Sequence, residues 1–137
     1  MDHKIGFALS TVTLGTDDVP RLARFYARLL GWPEPDIDAD DVQWIAIRDP
    51  AGGTGVACQY EQFHTAPVWP GAAGEPQMMV HLEIRVEELE AGLAHAVDCG
   101  ARLADYQPQH DVRVCLDPAG HPFCLWVAGQ APGDSEL

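Results

Sequence analysis

The chain reads as an α+β protein, built from two βαβββ modules that can form one curved mixed sheet. Three observations lead there. The tetrapeptide Asp-Pro-Ala-Gly occurs at Asp49 and again at Asp117. Around each copy the elements follow one order: strand, helix, two strands, the turn and a last strand. One segment, Val19 to Leu30, carries a clear helical stripe. A repeat of whole units constrains architecture before any single motif is weighed. A curved sheet also has a concave side, where small molecules bind.

The first strand is expected over Phe7 to Gly15. Ser10, Val12 and Leu14 fall on one face, Thr11 and Thr13 on the other. A helix follows. Asp18 suits its N-cap, Pro20 its first turn and Gly31 its C′ position. Val19, Leu22, Phe25, Tyr26, Leu29 and Leu30 make the apolar stripe, while Arg21, Arg24 and Arg28 make a basic one. The basic stripe reads as a solvated face, the alternative being a surface for an acidic partner. A weak strand is expected near Ile37. Another spans Val42 to Arg48, with Ile45 and Ile47 opposite Trp44 and Ala46. After the first Asp-Pro-Ala-Gly turn comes a strand over Gly55 to Tyr60.

The first module therefore covers residues 5–62. Residues 63–77 read as a linker, since Glu61 to Gln77 hold three prolines and two glycines. The second module covers 78–128. It opens with a strand over Met79 to Val86. Leu82, Ile84 and Val86 face one way, His81, Glu83 and Arg85 the other. A helix is expected over Glu87 to Asp98, with Leu89, Leu93, Ala96 and Val97 inward. Strands follow at Arg102 to Tyr106, Val112 to Asp117 and Pro122 to Val127. Residues 129–137, rich in Gly, Pro and acid, read as a flexible tail.

Bulk properties exclude several classes. With 137 residues the chain is one domain or two small modules sharing a core. A net charge of −13, with only eight Lys and Arg, argues against nucleic acid, whose phosphates need basic patches. No apolar run approaches the ~20 residues of a membrane span. Met1 to Lys4 lacks the pattern of a secretory signal, so a cytoplasmic location is expected. Cys58, Cys99, Cys115 and Cys124 show no C-x-x-C spacing and read as small apolar residues.

Two motifs carry a family resemblance. Asp18 to Tyr26, followed by Leu29-Leu30-Gly31-Trp32, resembles the D…FY…LLGW signature of the vicinal oxygen chelate superfamily. That superfamily includes glyoxalase I, bleomycin-resistance proteins and extradiol dioxygenases. Asp117 to Leu125 resembles the closing motif of its glyoxalase-like subgroup. The resemblance spans Phe7 to Val127. It implies a cup-shaped sheet with helices on the convex side, and a homodimer. It also implies four ligand positions on the cup floor, which fall on Thr11, Gln59, His81 and Cys124. It does not imply one activity, because fold does not fix function.

Among those four positions, His81 alone carries one of the family's usual His or Glu ligands. An Fe(II) dioxygenase needs two His and a carboxylate, a set these positions lack. Zinc accepts His and Cys, so His81 and Cys124 could begin a site that Glu83 completes. Strand spacing, however, sets Glu83 about 7 Å along from His81, which is long for one ion. No metal cofactor is favoured on this reading, and zinc or nickel is the alternative. His81, Glu83 and Arg85 on one strand face do not suit a dry core, so that face is expected to line a pocket. Trp44 and Trp126 are expected to add an aromatic lining. The aromatic loop Phe63 to Pro70 could lid the cup or touch a partner subunit. Cys124 reads as a small buried residue, or else as a nucleophile activated by His81.

Three functions compete. The first is metal-independent binding of an apolar or aromatic small molecule, as in the bleomycin-resistance branch. The second is a lyase or isomerase resembling glyoxalase I, with a metal and Glu83 as base. The third is a metal-free enzyme with His81 as base and Glu83 or Arg113 orienting the substrate. The expected ligand contacts are Thr11, Trp44, Gln59, His81, Arg113, Cys124 and Trp126, and the expected partners are a small organic molecule and a second copy of the chain.

Overall fold

A computed structural model describes residues 5–39 and 41–127. The element order is β1 (Thr11–Thr16), α1 (Val19–Leu30), β2 (Trp44–Ile47), β3 (Gly55–Tyr60), β4 (Leu82–Val86), α2 (Leu89–Cys99), β5 (Arg102–Leu103), β6 (Val112–Leu116) and β7 (Pro122–Val127). The chain divides into two compact units, one up to Glu61 and one from Gln62 onward. Both are α+β, each with one helix and one mixed sheet. The tail from residue 129 lies outside the described residues.

The first unit's sheet has the order β1-β3-β2, with β1 parallel and β2 antiparallel to β3. Helix α1 packs on β2 and β3. Its ends follow the expected chemistry. The Asp18 side chain accepts from the Arg21 backbone N–H at 3.2 Å. Gly31 takes the left-handed conformation at φ 68°, which favours a residue without a Cβ. Val19, Leu22, Phe25 and Tyr26 are buried, with the Phe25 and Tyr26 rings edge-on at 4.9 Å. Arg21, Arg24 and Arg28 point outward, and Arg28 pairs with Glu34. The expected strand near Ile37 does not form; residues 33–39 lie in no strand.

The second unit has the order β4-β7-β6-β5, with β4 parallel to β7 and the other pairs antiparallel. Its core holds Ala96, Cys115, Phe123 and Leu125. Helix α2 starts later than expected, with Glu88 as its N-cap; that carboxylate accepts from Ala91 N–H at 2.7 Å. Gly92 lets the helix approach β4. A Cβ there would meet Val86 Cγ1 at 2.9 Å. Val97, expected inward, is 49% exposed. The strand expected over Arg102 to Tyr106 shortens to two residues. The Gln107 side chain takes over the pairing: its amide donates to the carbonyls of Ala104 and Val114 and accepts from Val114 N–H, each at 2.8 Å.

The repeated tetrapeptide makes the same turn twice. The Gly52 and Gly120 amides donate to the Asp49 and Asp117 carbonyls at 2.9 Å, and both glycines have positive φ. Each Asp side chain also accepts two backbone N–H groups: Ala51 and Gly53 for Asp49, Ala119 and His121 for Asp117. The second turn has an added clasp from the segment read as a linker. His64 Nε2 donates to the Ala119 carbonyl at 2.8 Å. Further along, Trp69 Nε1 donates to the Tyr106 carbonyl.

Candidate functional site

Strand alternation in the second unit separates two faces. Leu82, Ile84 and Val86 on β4, with Phe123 and Leu125 on β7, occupy the α2 side. His81, Glu83 and Arg85 therefore turn to the other face, where Glu83 lies opposite Cys124 and Arg85 opposite Trp126. Further across, Val114 pairs with Cys124 and Val112 with Trp126, and both valines are buried. The face thus grades from a polar, exposed edge at β4 to an apolar interior at β6.

Glu83 is the hub of the polar edge. Its Oε2 accepts a hydrogen bond from His81 Nε2, and its carboxylate is also hydrogen-bonded to the Cys124 thiol. The side chains of His81 and Glu83 are about a third exposed, at 34% and 31%. One ligand atom from each of His81, Glu83 and Cys124 lies within 4.8 Å of the others. This corrects the spacing argument from sequence. The ~7 Å separation along a strand refers to the backbone, and the two side chains lean together to meet. Burial first, and then the Glu83 carboxylate, push the Cys124 thiol up to about 12. Cys124 thus carries its proton at neutral pH and is a poor nucleophile there.

With Nε2–H given to Glu83, His81 has Nδ1 as its second polar atom on this face. Arg85 stands exposed beside this group and has no acidic partner among the described residues. Trp126 Nε1 is shielded from water and has no hydrogen-bond partner among the described residues. Such a donor left unpaired costs about 1–3 kcal/mol. Alternation alone had placed Arg85 on this face. Its pairing with Trp126 becomes visible only through the register of β4 on β7.

Of the other expected site residues, Arg113 belongs to this unit, and Thr11, Trp44 and Gln59 belong to the first. Arg113 pairs with Leu125, so it points to the α2 side of the sheet, away from His81. There it donates to Glu90 at 3.1 Å and to the His110 carbonyl at 2.7 Å, tying the start of α2 to β6. In the first unit, Thr11 pairs with Gly55 while Gln59 pairs with Gly15. Four residues of strand, about 13 Å, separate Thr11 from Gln59. Gln59 donates to Glu61 at 2.8 Å and lies opposite Trp44, which is 49% exposed. Thr11 instead lines a hollow with Ser10, Arg48 and Asp49.

Counting back from the helix caps gives the repeat relation. From Asp18 and Glu88, Thr11 corresponds to His81, Thr13 to Glu83 and Gly15 to Arg85. Through the registers, Ala57 corresponds to Cys124 and Gln59 to Trp126. The first-unit counterpart of Cys124 is therefore Ala57, two residues before Gln59.

A glyoxalase-like domain matches residues 11–126. Solved structures share the fold. A glyoxalase/bleomycin resistance protein/dioxygenase family enzyme from Burkholderia phytofirmans PsJN is 18% identical, with TM-score 0.63; the match covers 87% of this chain and 97% of that one. A glyoxalase-related enzyme from Fulvimarina pelagi is 20% identical, with TM-score 0.61, over 93% and 96% of the two chains. TnmS3, an antibiotic binding protein from Streptomyces sp. CB03234, is 15% identical, with TM-score 0.56, over 92% and 98%. A comparison with curated proteins finds no match.

Proposed function

The chain belongs to the glyoxalase-like domain family of the vicinal oxygen chelate superfamily, and from that premise we propose that it binds a small organic molecule on the β4–β7 face without the superfamily's four-ligand metal. The observation that carries this reading is the composition of the repeat positions. Where the second unit has His81, Glu83 and Cys124, the first has Thr11, Thr13 and Ala57, and none of these is a strong metal ligand. The face offers Trp126 as an aromatic wall and His81 Nδ1 as a polar contact. The similar TnmS3 is an antibiotic binding protein; sequestration of an apolar or aromatic molecule is the corresponding reading here. His81, oriented by Glu83, could also accept a proton from a bound molecule, which would make the site a metal-free catalyst.

A second reading is favoured by the 4.8 Å clustering of His81, Glu83 and Cys124. The donor set fits a borderline ion such as zinc, which takes imidazole, carboxylate and thiolate, and three protein ligands leave a fourth position open. Cys124 would give up its proton to bind, so uptake would be steeper at higher pH. A bound ion would polarise a ligand oxygen. The chain's own part is to hold three donors on one face, with His81 and Glu83 also available to position the ligand.

Metal analysis of the purified protein, joined to a thermal-shift screen of Zn²⁺, Ni²⁺, Mn²⁺ and aromatic metabolites, separates the readings. The first expects a melting temperature raised by organic ligands, unchanged by the ions, and lower ligand affinity in His81→Ala and Trp126→Phe. One tightly held equivalent of metal, lost in Cys124→Ala, would replace the first reading by the second. The proposal includes a homodimer, for which light scattering expects twice the 14.9 kDa chain mass.

A further inference from the structure

We propose that the small molecule bound by the second unit carries a carboxylate, and that Arg85 and the Trp126 indole form the corner that receives it. The inference rests on the reading of the β4–β7 face as the ligand site, and adds the chemical class of the ligand. Arg85 and Trp126 are direct register partners on adjacent parallel strands, so their side chains rise from the same face side by side. The chain has 21 acidic residues against eight Lys and Arg. Arg28 and Arg113 are held in ion pairs with Glu34 and Glu90. Arg85, like Arg21, Arg24, Arg48 and Arg102, forms none among the described residues, and it is the one of these on the β4–β7 face, although Glu83 is only two positions away. That carboxylate is already engaged by His81 and Cys124.

Trp126 Nε1 is a donor without an acceptor, closed to water. A ligand oxygen that reached it after a small side-chain shift would supply the acceptor. Arg85 and Trp126, paired in register, bring donors and no acceptor to this face, which suits the planar, two-oxygen geometry of a carboxylate. The negative charge of Glu83, hydrogen-bonded to His81, disfavours an anion at the His81 end of the row. The ligand is thereby oriented: its carboxylate lies at Arg85 and its neutral part points toward His81, whose backbone is four strand residues, about 13 Å, away. The first unit has Gly15 and Gln59 at the matching positions, with no cation, so the assignment belongs to the second unit alone.

The test uses a panel of aromatic and aliphatic carboxylates, phenylacetate among them, each paired with its primary amide. Binding is followed by the indole N–H resonances of the four tryptophans, with Trp126→Phe assigning the relevant one. The expected result is that at least one acid shifts the Trp126 resonance and binds about tenfold tighter than its amide. Arg85→Gln should abolish that preference, Arg85→Lys should keep part of it, and Arg48→Gln should leave it unchanged. If acids and amides bind equally well with the same Trp126 shift, the ligand face stands and the carboxylate inference is overturned. A preference that survives in Arg85→Gln overturns it too. If no panel member shifts Trp126, the ligand-face reading falls and takes the inference with it.

Discussion

At the strand position where the first unit sets Thr13 opposite Ala57, the second sets Glu83 opposite Cys124. The helices differ in the other direction. Helix α1 buries seven residues, including Leu22, Phe25 and Tyr26, whereas Ala96 is the one buried residue of α2. The same supersecondary plan carries the more deeply buried helix in one copy and a polar cluster on the sheet of the other. Polar clusters are tolerated where packing rules are locally relaxed, and the hydrophobic effect must then be gathered elsewhere.

The largest difference between the units lies in the helices. Leu22→Ala should cost about 2–5 kcal/mol in chemical denaturation, as for a fully buried leucine. Leu93→Ala, on the partly exposed inner side of α2, should cost less than half of that. Equal losses would show that the two helices are anchored alike. The paired turns give a smaller contrast. Asp117 is 3% exposed and accepts two backbone N–H groups, so Asp117→Ala should cost about 1–3 kcal/mol. Asp49→Ala should cost less, because water can replace the carboxylate at that more exposed turn.

Alkaline pH probes the site itself. The Cys124 thiol is raised from 9.0 to about 12, and Cys115 to about 11, chiefly by burial in both cases. Between about pH 9 and the raised values the unfolded chain loses protons that the folded chain keeps. Stability should therefore be full below pH 9 and fall as pH rises toward 12. Cys124→Ser should flatten that decline, seen as a smaller drop in melting temperature between pH 8 and 11; an unchanged slope would contradict the assigned burial. The smallest effect is on reactivity. Glu83→Gln removes the second cause of the raised thiol, so alkylation of Cys124 at pH 8, followed by mass spectrometry, should quicken by about a few-fold. A slower reaction would mean that Glu83 does not hold the thiol proton.

Local features of the fold were legible in the sequence. The two Asp-Pro-Ala-Gly turns, the Asp18 and Gly31 caps, the α1 stripe and the alternation of His81, Glu83 and Arg85 against Leu82, Ile84 and Val86 all depend on neighbours within a few residues. Their periods, 2 and 3.6, are written directly in the order of side chains. Tertiary structure decided what faces what across strands. It brought Glu83 to Cys124 and Arg85 to Trp126, moved Arg113 to the α2 side, and substituted the Gln107 side chain for most of a strand. Register is a long-range choice made by packing and turn geometry, and shifting it by one residue exchanges the faces. The sequence alone therefore determined which residues share a strand face, and only the folded sheet decided which residues of neighbouring strands meet on that face.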